Sequence, residues 1–374
     1  MMNILDNEIL NRIDKTQMKI KESNLDAYVV TDPEDIWYLT NINYSPEQRP
    51  FLFLLFPDQK PLFIVPKLEE THVEVPYFTY NIDTYFDVTS EKGHNWYEVL
   101  ANVLEGKKRV GIENNAQLFI TQEEPNINWI SKTIIKELRA VKSAYELNKI
   151  KFTAKQCSDV LCQTLDMVKT GTAIAEAYML PYKMKQDIIQ NNFSITNRIT
   201  NCVWNADYSY MPHSIPDLDS IVKAGPNIDI SIFRIAGYAA ECERTFFTEE
   251  PTSEEAEHFQ QMMAARKLML SMIHPGVEAA EIERKVLNCL KEYGVNDKVL
   301  HRPGHGIGLN NHEEPTLSLG NSTKLKENMV ISVEPGIYFN NHGGYRHSDT
   351  VRVTKDGYEF YTKAPDKLDD LILK

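Results

Sequence analysis

The chain has 374 residues, 42% hydrophobic and 25% charged, with a formal net charge of -13. That length can bury the cores of two domains, and the composition is ordinary for a soluble globular protein. The acidic balance argues against a general nucleic-acid or anionic-membrane binder, because phosphate contacts need clustered Lys and Arg.

The first 140 residues or so alternate helical and strand patterns, as an α/β unit should. Ile9, Leu10, Ile13 and Ile20 fall on one face at helical spacing, which predicts a helix over 9–23. A strand over 26–30 is closed by Asp32-Pro33, and a helix over 34–39 follows. The apolar run Phe51-Leu52-Phe53-Leu54-Leu55-Phe56 is far too short to span a bilayer and reads as a buried strand. Pro57-Asp58-Gln59-Lys60 then turns the chain into a second apolar run over 62–65, a plausible hairpin. Gly111-Ile112-Glu113-Asn114-Asn115 repeats the strand-to-turn style.

A domain boundary is expected near residue 140. Ser143 with Glu146 three residues later is a capping box, opening a long helix that runs to about residue 168. Further helices are expected over 173–190 and 253–274. Val168-Lys169-Thr170-Gly171 and Ile273-His274-Pro275-Gly276 each close one helix and open another with an acidic first turn, which suggests an internal two-fold repeat. The five cysteines form no CxxC pair and read as reduced thiols of a cytoplasmic protein. The first eight residues carry no basic region followed by an apolar run, so no signal peptide is expected.

Candidate chemistry is concentrated in the second half. In His301-Arg302-Pro303-Gly304-His305-Gly306-Ile307-Gly308-Leu309, the glycines let backbone pass close beside a ligand, and His312-Glu313 follows. Glu334 stands at a strand end in Val330-Ile331-Ser332-Val333-Glu334-Pro335-Gly336. In Gly237-Tyr238-Ala239-Ala240-Glu241-Cys242-Glu243-Arg244-Thr245, the two-residue period puts Glu241, Glu243 and Thr245 on one face. Two carboxylates so placed repel unless a cation sits near them. His213, in Tyr210-Met211-Pro212-His213-Ser214, offers an imidazole that can take a proton from water and return it to a leaving nitrogen.

These phrases resemble the pita-bread superfamily of aminopeptidase P, prolidase, methionine aminopeptidase and creatinase. The resemblance covers nearly the whole chain and implies an α/β protein with a creatinase-type N-terminal domain, 1–140, and a pita-bread catalytic domain, 141–374. Metal-dependent members hold two divalent ions with two Asp, one His and two Glu. His305 and Glu334 match two of those five positions. Glu241 stands at the second Asp, and Ser348 of Arg346-His347-Ser348-Asp349-Thr350 replaces the final Glu. The first Asp position falls on Ile230 counted without gaps, or on Ser231 with one deletion.

Glu243-Arg244-Thr245 resembles the metal-independent amidinohydrolase creatinase. That resemblance implies a C–N hydrolase with no metal, in which His213, Glu243 and Glu334 are catalytic. His305, His312, Glu241, Arg49, Ser231 and Ser348 would contact a small substrate bearing a cationic group, with Arg49 reaching across a homodimer. One alternative is a Xaa-Pro aminopeptidase or dipeptidase holding a single divalent ion on Glu241, His305 and Glu334, since three ligands plus water satisfy zinc. Another is a catalytically inactive pita-bread binding protein. Neither nucleic acid nor membrane is expected as a partner.

Overall fold

The computed structural model describes residues 4–44, 48–74, 79–184 and 196–373, and the end of the helix expected over 173–190 lies outside them. The chain divides into two compact units, residues 1–139 and 140–374.

The first unit is built on a six-stranded mixed sheet. Its strands are β1 (Ala27–Val30), β2 (Leu52–Leu55), β3 (Leu62–Pro66), β4 (Asn81–Tyr85), β5 (Arg109–Ile112) and β6 (Asn128–Ser131), in the order β4-β3-β2-β1-β5-β6. The apolar runs in β1, β2 and β3 are buried at every position, which explains why they do not alternate with polar residues. β2 and β3 pair antiparallel across the expected turn. The amphipathic helix begins earlier than its pattern suggested, at Ile4, and ends at Glu22. Asp32 caps the helix Pro33–Thr40 by accepting from the backbone N–H groups of Glu34 and Asp35.

The second unit opens with the helix Ala144–Met167, and both reciprocal bonds of the Ser143–Glu146 capping box are formed. Its main sheet is antiparallel, ordered β10-β13-β9-β8-β7, with β14 (Gly357–Phe360) against β13. The strands are β7 (Arg198–Trp204), β8 (Asn227–Ile235), β9 (Tyr238–Phe246), β10 (Val330–Val333) and β13 (Ser348–Thr354). A separate ribbon joins β11 (Gly336–Phe339) to β12 (Gly343–Arg346). Helices Ile174–Lys183, Ser253–Met272 and Ala279–Glu292 belong to the same unit. The repeat expected from sequence is visible in the turns: Gly171 and Gly276 both have positive φ, at 90° and 97°, and each precedes a helix. Each also donates its N–H to a later strand-like segment, Val222 O at 2.9 Å and Leu325 O at 2.8 Å.

β8 and β9 turn through Ala236 and Gly237, both at positive φ, as a two-residue hairpin demands. This fixes the register, in which Glu241 faces Ile232, Glu243 faces Ile230 and Cys242 faces Ser231. Residues directly opposite share a face, so Glu241 and Glu243 lie with Ile230 and Ile232, and Ser231 lies on the other side.

Candidate functional site

Three elements converge on the Glu241 face. His305 comes from the glycine-rich loop, which is laced to β10: its N–H donates to Ser332 Oγ at 2.9 Å, and Ser332 N–H returns a bond to His305 O at 2.7 Å. That approach requires glycine, since a Cβ on Gly304 would lie 2.3 Å from Ser332 O and one on Gly306 2.2 Å from Glu314 O. His305 Nδ1 lies 3.1 Å from Gly306 O, which leaves Nε2 as the nitrogen facing the site. Nε2 lies between two carboxylates, 3.0 Å from Glu334 and 3.7 Å from Glu241. Ser332 Oγ also donates to Glu334 at 3.3 Å.

Both oxygens of Glu241 are met by neutral donors, Ser348 Oγ at 2.7 Å and Asn311 Nδ2 at 2.6 Å. Burial pushes the Glu241 carboxyl above its ordinary range, and the neighbouring Glu334 adds to the push. Burial also raises Glu334, but hydrogen bonding and charge from His305 outweigh it and bring the group down to about 2. For His305, burial lowers the imidazole, while the carboxylates of Glu241 and Glu334 raise it to about 9.

Glu243 is not free to meet a substrate cation. Arg346 Nε bonds its carboxylate, and the same guanidinium donates to Tyr338 Oη at 3.2 Å and Pro212 O at 3.4 Å. Tyr338 is in turn 2.7 Å from His301 Nε2. Burial pushes Glu243 up, to about 8, and the Arg346 charge pulls against it. The reading of Glu243 as a receptor for a cationic group therefore needs correction, because the chain supplies that cation itself. Arg346 and Asn311 went unassigned from sequence. The signal for Arg346 was the carboxylate pair that needed a nearby cation; Asn311 had none.

The remaining expected residues are distributed as follows. Ser348 is buried and joins the site through Glu241. His312 is exposed, with its ring edge-on to His305 at a centroid distance of 4.1 Å; partial desolvation and the His305 charge pull it down to about 4. His213 is exposed on a loop whose Pro212 carbonyl touches Arg346, near enough that its charge bears on His301 and His312. Ser231 does not join them: it is buried against the helix side of the sheet, where Oγ donates to Asn201 Oδ1 and Asn201 Nδ2 donates to Thr164. The ungapped position, Ile230, is the one facing the site, so the expectation for Ser231 fails by strand parity. In the first unit, Arg49 gives its fork to Asp87, at 2.9 and 3.1 Å.

The donor set suits one divalent ion and not two. Glu241, His305 and Glu334 offer one atom each, all within 4.8 Å of one another, with a buried imidazole nitrogen among them. Two carboxylates and an imidazole satisfy a tetrahedral ion with one position left for water. A second ion would need ligands where Ile230 and Ser348 stand, beside the fixed positive charge of Arg346. This arrangement fits the one-ion alternative better than the expected absence of metal. Among the described residues no helix is long and apolar enough to cross a membrane.

Residues 148–355 match the family model for metallopeptidase family M24, and residues 12–141 match the creatinase/prolidase N-terminal domain. Uncharacterized peptidases of Staphylococcus aureus, among them those of strains USA300 and NCTC 8325, are 28% identical over 356 residues, spanning 94% of this chain and 99% of theirs. The fold is similar to that of the prolidase from Pyrococcus horikoshii OT3, with a TM-score of 0.82 and 23% identity over 96% of this chain and 99% of that one. It is also similar to the Xaa-Pro dipeptidase from Bacillus anthracis, with a TM-score of 0.80, 21% identity and coverage of 96% and 99%. The N-terminal domain of the FACT complex subunit SPT16 from chickpea reaches a TM-score of 0.81 at 14% identity, covering 99% of each chain.

Proposed function

The chain belongs to metallopeptidase family M24 and is a hydrolase of carbon–nitrogen bonds, and from that premise we propose that it is a single-ion peptidase acting on short Xaa-Pro peptides. One observation carries the reading: His305 Nε2 is buried between Glu334, at 3.0 Å, and Glu241, at 3.7 Å, so that three ligand atoms lie within 4.8 Å of one another. Glu241, His305 and Glu334 would hold the ion, which would supply Lewis acidity and an activated water. Ser348 and Asn311 fix the orientation of Glu241, and Ser332 does the same for Glu334. Arg346 neutralises Glu243 directly beside Ile230 and Ser348, the positions where metal-dependent members would supply ligands for a second ion. His213, exposed on the loop whose Pro212 carbonyl meets Arg346, would take a proton and return it to the leaving nitrogen. The substrate class follows the prolidase and Xaa-Pro dipeptidase resemblance. The homodimer expected from sequence is part of this proposal, and light scattering at assay concentration tests it.

A second reading keeps the site metal-free. It is favoured by the upward shift of His305 to about 9, which makes an imidazolium available beside Glu334. Imidazolium and the Arg346 guanidinium would then provide the positive charge that the creatinase-like expectation assigned to a cationic group of the substrate. The deciding assay offers Xaa-Pro dipeptides and guanidino acids such as creatine, each with and without chelator. Chelator-sensitive release of proline supports the single-ion peptidase. Chelator-resistant release of urea or amine overturns it in favour of the second reading. His213→Ala should cost about two to four orders of magnitude in turnover under either, the usual scale for a lost acid–base group.

A further inference from the structure

Four guanidinium groups withdrawn from solvent in the second unit are met by anions. Arg244 meets Asp349 at 3.0 Å, Arg266 meets Asp366 at 3.2 Å, Arg352 meets Glu359 at 3.3 Å, and Arg346 meets Glu243. Arg302 differs. It is half-buried, its Nε is sealed from solvent, and its side chain has no hydrogen-bond or ion-pair partner among the described residues. Its neighbours in sequence are both committed to the site: His301 bonds Tyr338, and Pro303 O accepts from the N–H of Glu334 at 2.9 Å. The Arg302 charge acts on His312, whose ring lies edge-on against His305. An unmatched cation therefore stands beside the candidate ligand cluster, on the His312 side.

A guanidinium cannot discharge by losing its proton, and withdrawing it from water without a counter-ion is unfavourable. Its planar fork matches a carboxylate with two parallel bonds. The site is thus dipolar, with Glu241 and Glu334 at one pole and Arg302 at the other. We propose that Arg302 is the receptor for a carboxylate of the substrate and makes the enzyme selective for substrates that carry one. This rests on the peptidase reading and adds to it the group that the peptide must present. The carboxylate has two possible sources, the C-terminus of a dipeptide or the side chain of an acidic first residue.

The test measures binding by calorimetry, and kcat/KM where turnover occurs, for two matched pairs: Ala-Pro with Ala-prolinamide, and Glu-Pro with Gln-Pro. Wild type should prefer the carboxylate-bearing member of at least one pair by about tenfold or more, the scale of one charge-assisted bond. The pair that shows it identifies the source. In Arg302→Gln that preference should collapse towards one, and Arg302→Lys should recover part of it, because it keeps the charge without the fork. The melting temperature of Arg302→Gln should not fall, since the substitution removes an uncompensated charge. An undiminished preference in Arg302→Gln, or no preference by wild type in either pair, overturns the assignment of Arg302 alone. Failure of all four peptides to bind wild type overturns the peptidase reading and this inference together.

Discussion

Adding a divalent ion to protein stripped by chelator should fill one position per chain and stabilise the second unit. Glu241, His305 and Glu334 are gathered only in the folded chain, from β9, the glycine-rich loop and the residue after β10, so the ion binds the native state and not the unfolded one. At a free ion concentration one hundred times the dissociation constant, that difference contributes about 2.7 kcal/mol. A unit the size of residues 140–374 gains about 2–4 °C per kcal/mol, so its melting temperature should rise by about 5–10 °C. Native mass spectrometry with Mn2+ or Zn2+ counts the ions, and calorimetric scans read the shift. His305→Ala removes the central ligand and should abolish both signals, while Arg346→Met should leave the first ion bound. Two tightly bound ions in wild type would refute the argument that Arg346 and the Ile230/Ser348 replacements exclude the second. A shift that survives in His305→Ala would show that the ion binds elsewhere.

Arg346→Met and Glu243→Met should each destabilise the chelated protein by about 3 kcal/mol, and the double variant should cost well under their sum, because a buried pair is damaged more by losing one partner than both; additive losses in urea unfolding would contradict the pairing. Ser231→Ala should cost about 1 kcal/mol through Asn201 and leave kcat/KM within about twofold, whereas Ser348→Ala should lower kcat/KM by about tenfold by loosening Glu241. A catalytic defect confined to Ser231→Ala would reverse the strand register. In the first unit, burial and the nearby Asp35 push Glu113 up to about 8. The folded state then holds its proton more tightly than the unfolded state does, so the stabilisation is present below about pH 4.5 and is lost as pH rises to about 8. Glu113→Gln should flatten that decline and unfold later in urea at pH 8.5, by a margin on the order of 2 kcal/mol; an unchanged pH profile would count against it.

The features legible in the sequence are those set by local chemistry. Asp32 before Pro33, the Ser143–Glu146 pair and the positive-φ glycines 171 and 276 each act within a few residues, and each forms what its pattern indicates. His305, Glu334 and Glu241 were recognisable because their phrases resemble the family's ligand positions, with the glycines and the strand end giving a mechanical reason for the first two. What was not legible depends on parity and on distance along the chain. One residue separates Ile230 from Ser231, and that step moves a side chain from the site to the helix side of the sheet. Sequence alone left the two positions open, and the pairing of β8 with β9 decides between them.

The pair Glu241 and Glu243 shows the effect of distance. Two buried acids on one face call for a cation, and the expectation from sequence was a metal or a cationic group of the substrate. Glu243 receives Arg346, 103 residues away, through a strand pairing that no local pattern encodes. A cation built into the chain is permanent, so Glu243 cannot select substrates by their positive charge. Glu241 has only neutral donors, Ser348 and Asn311, and so remains available to an ion together with His305 and Glu334. By the same accounting Arg302 is a cation without a matching anion among the described residues. Recognition of substrate charge therefore moves from the carboxylates to that guanidinium, and the sign of the group it selects changes from positive to negative.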